Sequence, residues 1–227
     1  MFNPEKPPEL AVEAWINTTQ PLTLAKLRGR VVILLAFQML CPGCVSHALP
    51  QARKLSQCFD DDEVAVIGLH TVFEHHEVMT LDALKAFNHE YRWPFPIAVD
   101  KANGRGLPLT MQAYEMRGTP TLLLFDRQGR LRRHYLGQVD DLRVAAEIMS
   151  LAIEDKDASR EMSVAIERKL AAVLVEPNAH GHAGHDHAHD HVHGDECGCG
   201  HDHGHEHAHD HAPPAAATPG KAKPRGK

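Results

Sequence analysis

Cys41 and Cys44 enclose Pro42 and Gly43. Two thiols at this spacing have a definite chemistry when a strand precedes them and a helix follows. The first sulfur then sits among the unpaired N–H groups of a helix N-terminus, where the helix dipole favours a thiolate. A free cysteine has a pKa near ~8.5, and such a site lowers it by one to several units. The Cys41 thiolate can attack a disulfide, and Cys44, one helical turn on, can attack the mixed disulfide and release the product. The competing reading is half a zinc site. A structural zinc takes four ligands, and residues 1–177 hold no second Cys-x-x-Cys.

A second chemical pattern lies near the C-terminus, where 13 of the 19 histidines fall between His180 and His211. They come as His-x-His steps: His185, His187, His189, His191 and His193, then His201, His203, His205, His207, His209 and His211. Asp and Glu are interleaved, and Cys197 and Cys199 stand between the runs. Imidazole and thiolate suit zinc, nickel, copper and cobalt, so transition-metal binding is expected without selecting the metal. Imidazole must be neutral to ligate, so affinity should fall through about pH 6–5. From Asn178 onward the only large aliphatic side chain is Val192. These residues cannot bury enough apolar surface to offset ordering entropy and are expected to stay disordered.

The thiol pair needs a strand before it and a helix after it. Val31–Phe37 is an aliphatic run with no polar alternation, which reads as a strand buried on both faces. Val45, Ala48, Leu49, Ala52 and Leu55 then recur at helical spacing. Pro42 suits the first helical position, and Pro50 should kink the helix. Further strands are expected at Ala11 to Ile16, Val64 to Leu69 and Pro96 to Val99, with a hairpin of Thr121 to Phe125 and Leu131 to Leu136 turning at Arg127-Gln128-Gly129. Thr80 should cap a helix carrying Leu84, Phe87 and Tyr91. Leu107 to Met116 reads as a helix. Asp140 or Asp141 should cap another, with Leu142, Ala145, Ala146, Met149 and Ile153 on one face. A last amphipathic stretch carries Met162, Ile166, Leu170 and Val173. Cys58 reads as a buried small hydrophobe, and His47 as a surface residue. Glu74-His75-His76-Glu77 is either a polar loop or a second metal site. The order of elements predicts an α/β protein with a mixed sheet.

Four stretches carry a family resemblance: LRGRVVILLAF, CPGC, YEMRGTPTLLLFDRQGRL and the closing helix. Over roughly residues 10–155 the chain resembles thioredoxin-fold proteins of the TlpA-like or redoxin group. The resemblance implies a mixed central sheet flanked by helices. It implies a redox-active Cys41–Cys44 disulfide needing no other cofactor, and protein disulfide clients with an electron donor as partners. It also implies that Thr119-Pro120 is a cis step whose backbone meets the substrate chain. Leu40 replaces the usual aromatic residue, Pro-Gly reverses the usual Gly-Pro, and Val31–Gln38 holds no acidic residue for a buried proton acceptor. The expected organisation is a thioredoxin-like domain over residues 1–155, a helical extension over 156–177 and the metal-binding tail over 178–227.

Peroxiredoxins resemble this fold too. Their motif places Thr or Ser three residues before the cysteine and a proline further upstream, where this chain has Gln38 and Leu34. Arg117 could serve as an activating cation, though an exposed arginine explains it as well. A metal chaperone or buffer, with the dithiol supplying soft ligands, is the other alternative. The net charge of −6 offers no basic surface for nucleic acid. The longest apolar run is seven residues (Val31 to Phe37), against about 20 for a membrane span. MFNPEKPPEL lacks a basic flank followed by an apolar stretch, so a cytoplasmic location is expected.

Overall fold

Val31–Phe37 forms strand β2, buried along its whole length. Its alternate side chains enter two different cores, which is why no polar alternation marks it. Val31, Ile33, Leu35 and Phe37 join one apolar layer, and Val32, Leu34 and Ala36 join the other. The computed structural model describes residues 2–104 and 106–174, and the His-rich positions lie outside them. Around β2 run β1 (Val12–Ile16), β3 (Val64–His70), β4 (Ile97–Asp100), β5 (Thr121–Phe125) and β6 (Leu131–Leu136). They form one mixed six-stranded sheet in the order β1-β4-β3-β2-β5-β6. β2, β3 and β4 are mutually parallel, whereas β1, β5 and β6 pair antiparallel to their neighbours.

Register decides where chemistry can sit. Phe37 lies beside His70 at the ends of β2 and β3, and Thr121 at the start of β5 lies beside Ala36. The chain leaving β2 and the chain entering β5 therefore meet at one pole of the sheet. Helices α1 (Leu49–Cys58), α2 (Leu81–Tyr91) and α4 (Asp141–Ile153) cover the first layer, contributing Leu49, Ala52, Leu55, Leu84, Val144, Ile148 and Leu151. The second layer is closed by Leu24, Leu27 and the region of the short helix α3 (Leu109–Ala113), with Met111, Tyr114 and Met116. No helix among the described residues is long and apolar enough to cross a membrane.

Several elements depart from expectation for physical reasons. The helix expected over Leu107 to Met116 shrinks to α3, because Glu115 takes a left-handed conformation with φ 54°. The apolar face expected to bury α4 is its outer one: Leu142, Met149 and Ile153 are 80%, 51% and 72% exposed. The core face instead holds Val144, Glu147, Ile148, Ser150 and Leu151. Glu147 can be buried there because the Tyr135 hydroxyl lies 2.6 Å from both carboxylate oxygens and Arg133 approaches to 3.3 Å. An acidic residue on the core side disguised that face. Cys58 is exposed at the end of α1, not buried, since Ala52 and Leu55 already supply the inward positions.

Helix α5 (Arg160–Val173) opens at Ser159, whose hydroxyl accepts from Met162 N. It is held by buried ions rather than by a strong apolar face, and Met162 and Val173 are exposed. Arg132 Nη1 meets Asp126 at 3.0 Å and Glu154 at 2.8 Å, and its Nε reaches Glu167 at 2.6 Å. Ser163 donates to Glu154 at 3.0 Å and accepts from Arg130 at 2.9 Å.

Candidate functional site

The turn after β2 brings Cys41 to the mouth of a helix that starts at Pro42. Proline lacks the N–H that would be unpaired at this position. The Cys41 carbonyl accepts from Cys44 N at 3.0 Å and Val45 N at 3.1 Å. The Cys41 sulfur receives the Cys44 N–H at 3.4 Å, so a helix-terminal donor points at the atom that would carry charge. On its other side the Cys41 thiol donates to the Thr119 carbonyl at 3.4 Å. Cys41 is partly exposed, whereas Cys44 is fully buried.

Cys44 opens a wide π turn, Cys44–Ala48, closed by Leu49 N bonding to the Cys44 carbonyl. Pro50 therefore sits in the first turn of α1 rather than in mid-helix as expected. In a continuous α-helix its ring would collide with the carbonyl of Ser46; the wider turn precedes the clash. Such turns are frequent at functional sites. The Thr119–Pro120 bond is cis. Pro120 is buried against the dithiol turn, with its Cδ 3.6 Å from where a Cβ on Gly43 would stand. Cys41, Cys44, Thr119 and Pro120 are thus neighbours, although 79 positions separate Cys41 from Pro120.

The two thiols differ in environment. Burial pushes the Cys44 thiol up to about 12, and its hydrogen bond with Cys41 adds to this. A main-chain hydrogen bond from Gln38 and the Thr119 side chain work the other way. Beside the π turn lies a crevice of about 300 Å³ with Leu35, Ala48, Pro120 and Leu122 among its walls. His47 stands exposed at this crevice.

Other expected candidates are elsewhere. Glu74, His75, His76 and Glu77 are exposed in the loop after β3. Among the described residues, no three His, Cys, Asp or Glu side chains are grouped to hold a metal. Arg117 is exposed. The tail ligands His185 to His211, with Cys197 and Cys199, lie outside the described residues. Sequence reasoning noticed Gln38 only for the hydroxyl it lacks. It is 1% exposed, and its side chain accepts from Phe73 N and donates to Glu74, each at 3.3 Å. The signal for it was a lone amide directly after a fully apolar strand.

A family model described as AhpC/TSA matches residues 5–134. The crystal structure of a thioredoxin-like superfamily protein is 55% identical with a TM-score of 0.65, covering 66% of this chain and 97% of that one. A thiol-disulfide isomerase from Corynebacterium glutamicum is 47% identical with a TM-score of 0.64, covering 66% of this chain and 98% of its own. NHL repeat-containing protein 2 of Homo sapiens is 27% identical over 157 residues, 67% of this chain. The chain spans only 20% of that curated relative.

Proposed function

The chain belongs to the AhpC/TSA family with a thioredoxin-like fold, and from that premise we propose that it is a thiol–disulfide oxidoreductase acting through Cys41 and Cys44. The observation that carries the reading is the Cys41 sulfur, held between the Cys44 N–H and the Thr119 carbonyl at 3.4 Å each. The Cys41 thiolate attacks one sulfur of a client disulfide. That S–S bond breaks, a Cys41–client bond forms, and the departing client sulfur takes a proton. Cys44 then loses its proton and attacks the Cys41 sulfur. The client leaves as a dithiol, reduced by two electrons, and the Cys41–Cys44 pair is oxidised. An external dithiol returns the pair to its reduced form. The Thr119-Pro120 backbone lies where a client chain crosses Cys41 and serves to position it.

Cys44→Ser should accumulate mixed disulfides through Cys41, and the intact chain should reduce insulin with dithiothreitol as donor. Absence of both outcomes would sink the reading. The reduction potential assigns direction: about −270 mV marks a reductant and about −120 mV an oxidant.

The histidine and cysteine pattern of residues 180–211 supports a second role for the same chain, binding of zinc, nickel, copper or cobalt. Multiple weak sites of this kind suit buffering. Removing residues 178–227 should abolish zinc and nickel binding in calorimetric titration. One tight equivalent of copper(I) retained through Cys41 and Cys44 would favour the chaperone reading instead.

A further inference from the structure

Tyr135 and Leu136 close β6 beside the start of β5, and successive strand residues point to opposite faces. Tyr135 packs against the first layer. Leu136 faces the other way and is 57% exposed, although its partner in register, Thr121, is buried. It leans over the chain that leads into the cis step: its Cδ1 lies 3.6 Å from where a Cβ on Gly118 would stand. Leu136 is one wall of a cavity of about 350 Å³, and the others are Phe2, Tyr114, Glu115, Arg117 and His134.

Three segments build this cavity. After α3, the left-handed φ of 54° at Glu115 turns Met116 into the core and leaves Glu115 and Arg117 at the surface. Tyr114 is fully buried, and its hydroxyl donates to the Pro8 carbonyl at 2.5 Å. The N-terminal arm supplies Phe2, whose ring centroid is 5.2 Å from that of Tyr114. The arm is tied down where the Pro4 carbonyl accepts from Leu131 N at 2.8 Å and where Glu5 meets Arg160 at 3.0 Å. β6 supplies His134 and Leu136. Two rings, an aliphatic side chain and a guanidinium at the rim suit a flat aromatic guest, which packs on Leu136 and Phe2 and stacks on the Arg117 cation. A charged guest gains less, because Glu115 and Arg117 bring opposite signs to the same cavity. The Thr119 carbonyl is 3.4 Å from the Cys41 sulfur. Arg117 stands two residues before Thr119, at most about 7 Å of chain. The path of a client held along Thr119-Pro120 thus runs on past Leu136 into the cavity.

We propose that this cavity is a client subsite that takes an aromatic side chain two or three residues from the client's reacting cysteine. The proposal rests on the oxidoreductase reading and deepens it. The Thr119-Pro120 backbone offers groups that any extended chain can use, whereas the cavity tells clients apart by a side chain. Burying the ring favours the encounter in which Cys41 attacks, so it raises the rate of capture.

The test uses short cysteine peptides carried as mixed disulfides with a chromogenic aryl thiol. The Cys41 thiolate attacks the peptide sulfur, the S–S bond breaks, and the aryl thiolate leaves with the bonding electrons, so its colour reports capture. A single phenylalanine is walked along otherwise alanine-rich peptides. Two or three residues from the cysteine, on one side of it, phenylalanine should raise the second-order rate about tenfold over the all-alanine peptide, the effect of half-burying one ring. In Leu136→Ser combined with Arg117→Ala this ratio should fall below about threefold. Each ratio is taken within one protein, so a loss of folded material cancels. Equal rates at every position in the wild-type chain overturn the proposal, and so does a preference that survives in the double variant. A larger gain from aspartate or lysine than from phenylalanine at the same position overturns it too. If no peptide releases the aryl thiol, the oxidoreductase reading itself fails; release from every peptide at one rate sinks the subsite alone.

Discussion

At the residue scale, the two sulfurs share one turn but not one environment. Cys41 meets solvent, a helix N–H and a carbonyl, while Cys44 is enclosed and its proton is held up to about 12, from an ordinary 9.0. A pKa raised in the folded state contributes stability that is whole below about pH 9 and drains as pH climbs toward 12. Reduced wild-type protein should therefore lose stability across that range more steeply than Cys44→Ala, measured by urea melts. Identical slopes would contradict the buried-thiol picture. Close approach matters at Gly68 too. A Cβ there would stand 3.1 Å from Phe37 and 3.3 Å from both Ile97 and Phe95. Gly68→Ala should destabilise by about 1–3 kcal/mol, the usual effect of overpacking a filled core, visible as a lower urea midpoint. The placement of the thiol pair between a strand and a helix was legible from its spacing and its flanking apolar runs. The buried amide of Gln38 was not, because its partners Phe73 and Glu74 reach it only through the strand register.

At the element scale, β2 and β5 stand where their aliphatic runs predicted, since a buried strand declares itself by an unbroken apolar stretch, and β6 follows from the hairpin turn at Arg127-Gln128-Gly129. Helices with buried polar groups were harder to read. α4 carries apolar side chains on two faces, and the inward one includes Glu147, hydrogen-bonded by Tyr135 and met by arginines that only the folded chain brings near. α5 is fixed by ions whose partners are scattered from Asp126 to Glu167. Removing Arg132, whose side chain is 1% exposed, takes the arginine partner from buried Glu154 and one partner each from Asp126, still paired with Arg130, and Glu167, still near Arg133 and Arg160. Arg132→Ala should lower unfolding free energy by about 3–5 kcal/mol. The exposed Lys54–Asp141 pair, with side chains 68% and 50% exposed, sets the contrast. Lys54→Ala should shift the same chemical melts by less than about 1 kcal/mol.

At the scale of the whole molecule, the sheet sorts chemistry to the pole where β2 ends and β5 begins. His70 lies there too, buried beside Phe37 with Nε2 unpartnered. Burial lowers its pKa from 6.5 to about 4. The unfolded chain therefore binds a proton that the folded one refuses, and stability is lost as pH falls from about 6.5 toward 4, by about 3 kcal/mol. His70→Leu should flatten that acid limb in melts of the full chain, and an unchanged limb would assign it to other groups. The mixed sheet was foreseeable from the succession of elements, but a histidine buried against Phe37 with its Nε2 unpartnered carries no mark in sequence. The wide turn from Cys44 to Ala48 has the broadest consequence. It works as a phase adjuster: both the second sulfur and the Leu49, Ala52, Leu55 row aim inward although Pro50 forbids an unbroken spiral. Excising one residue there would swing one set against the other by about 100°. The shortened chain, nearly unchanged in composition, would keep either its packed interior or the inward aim of its second sulfur, but not both.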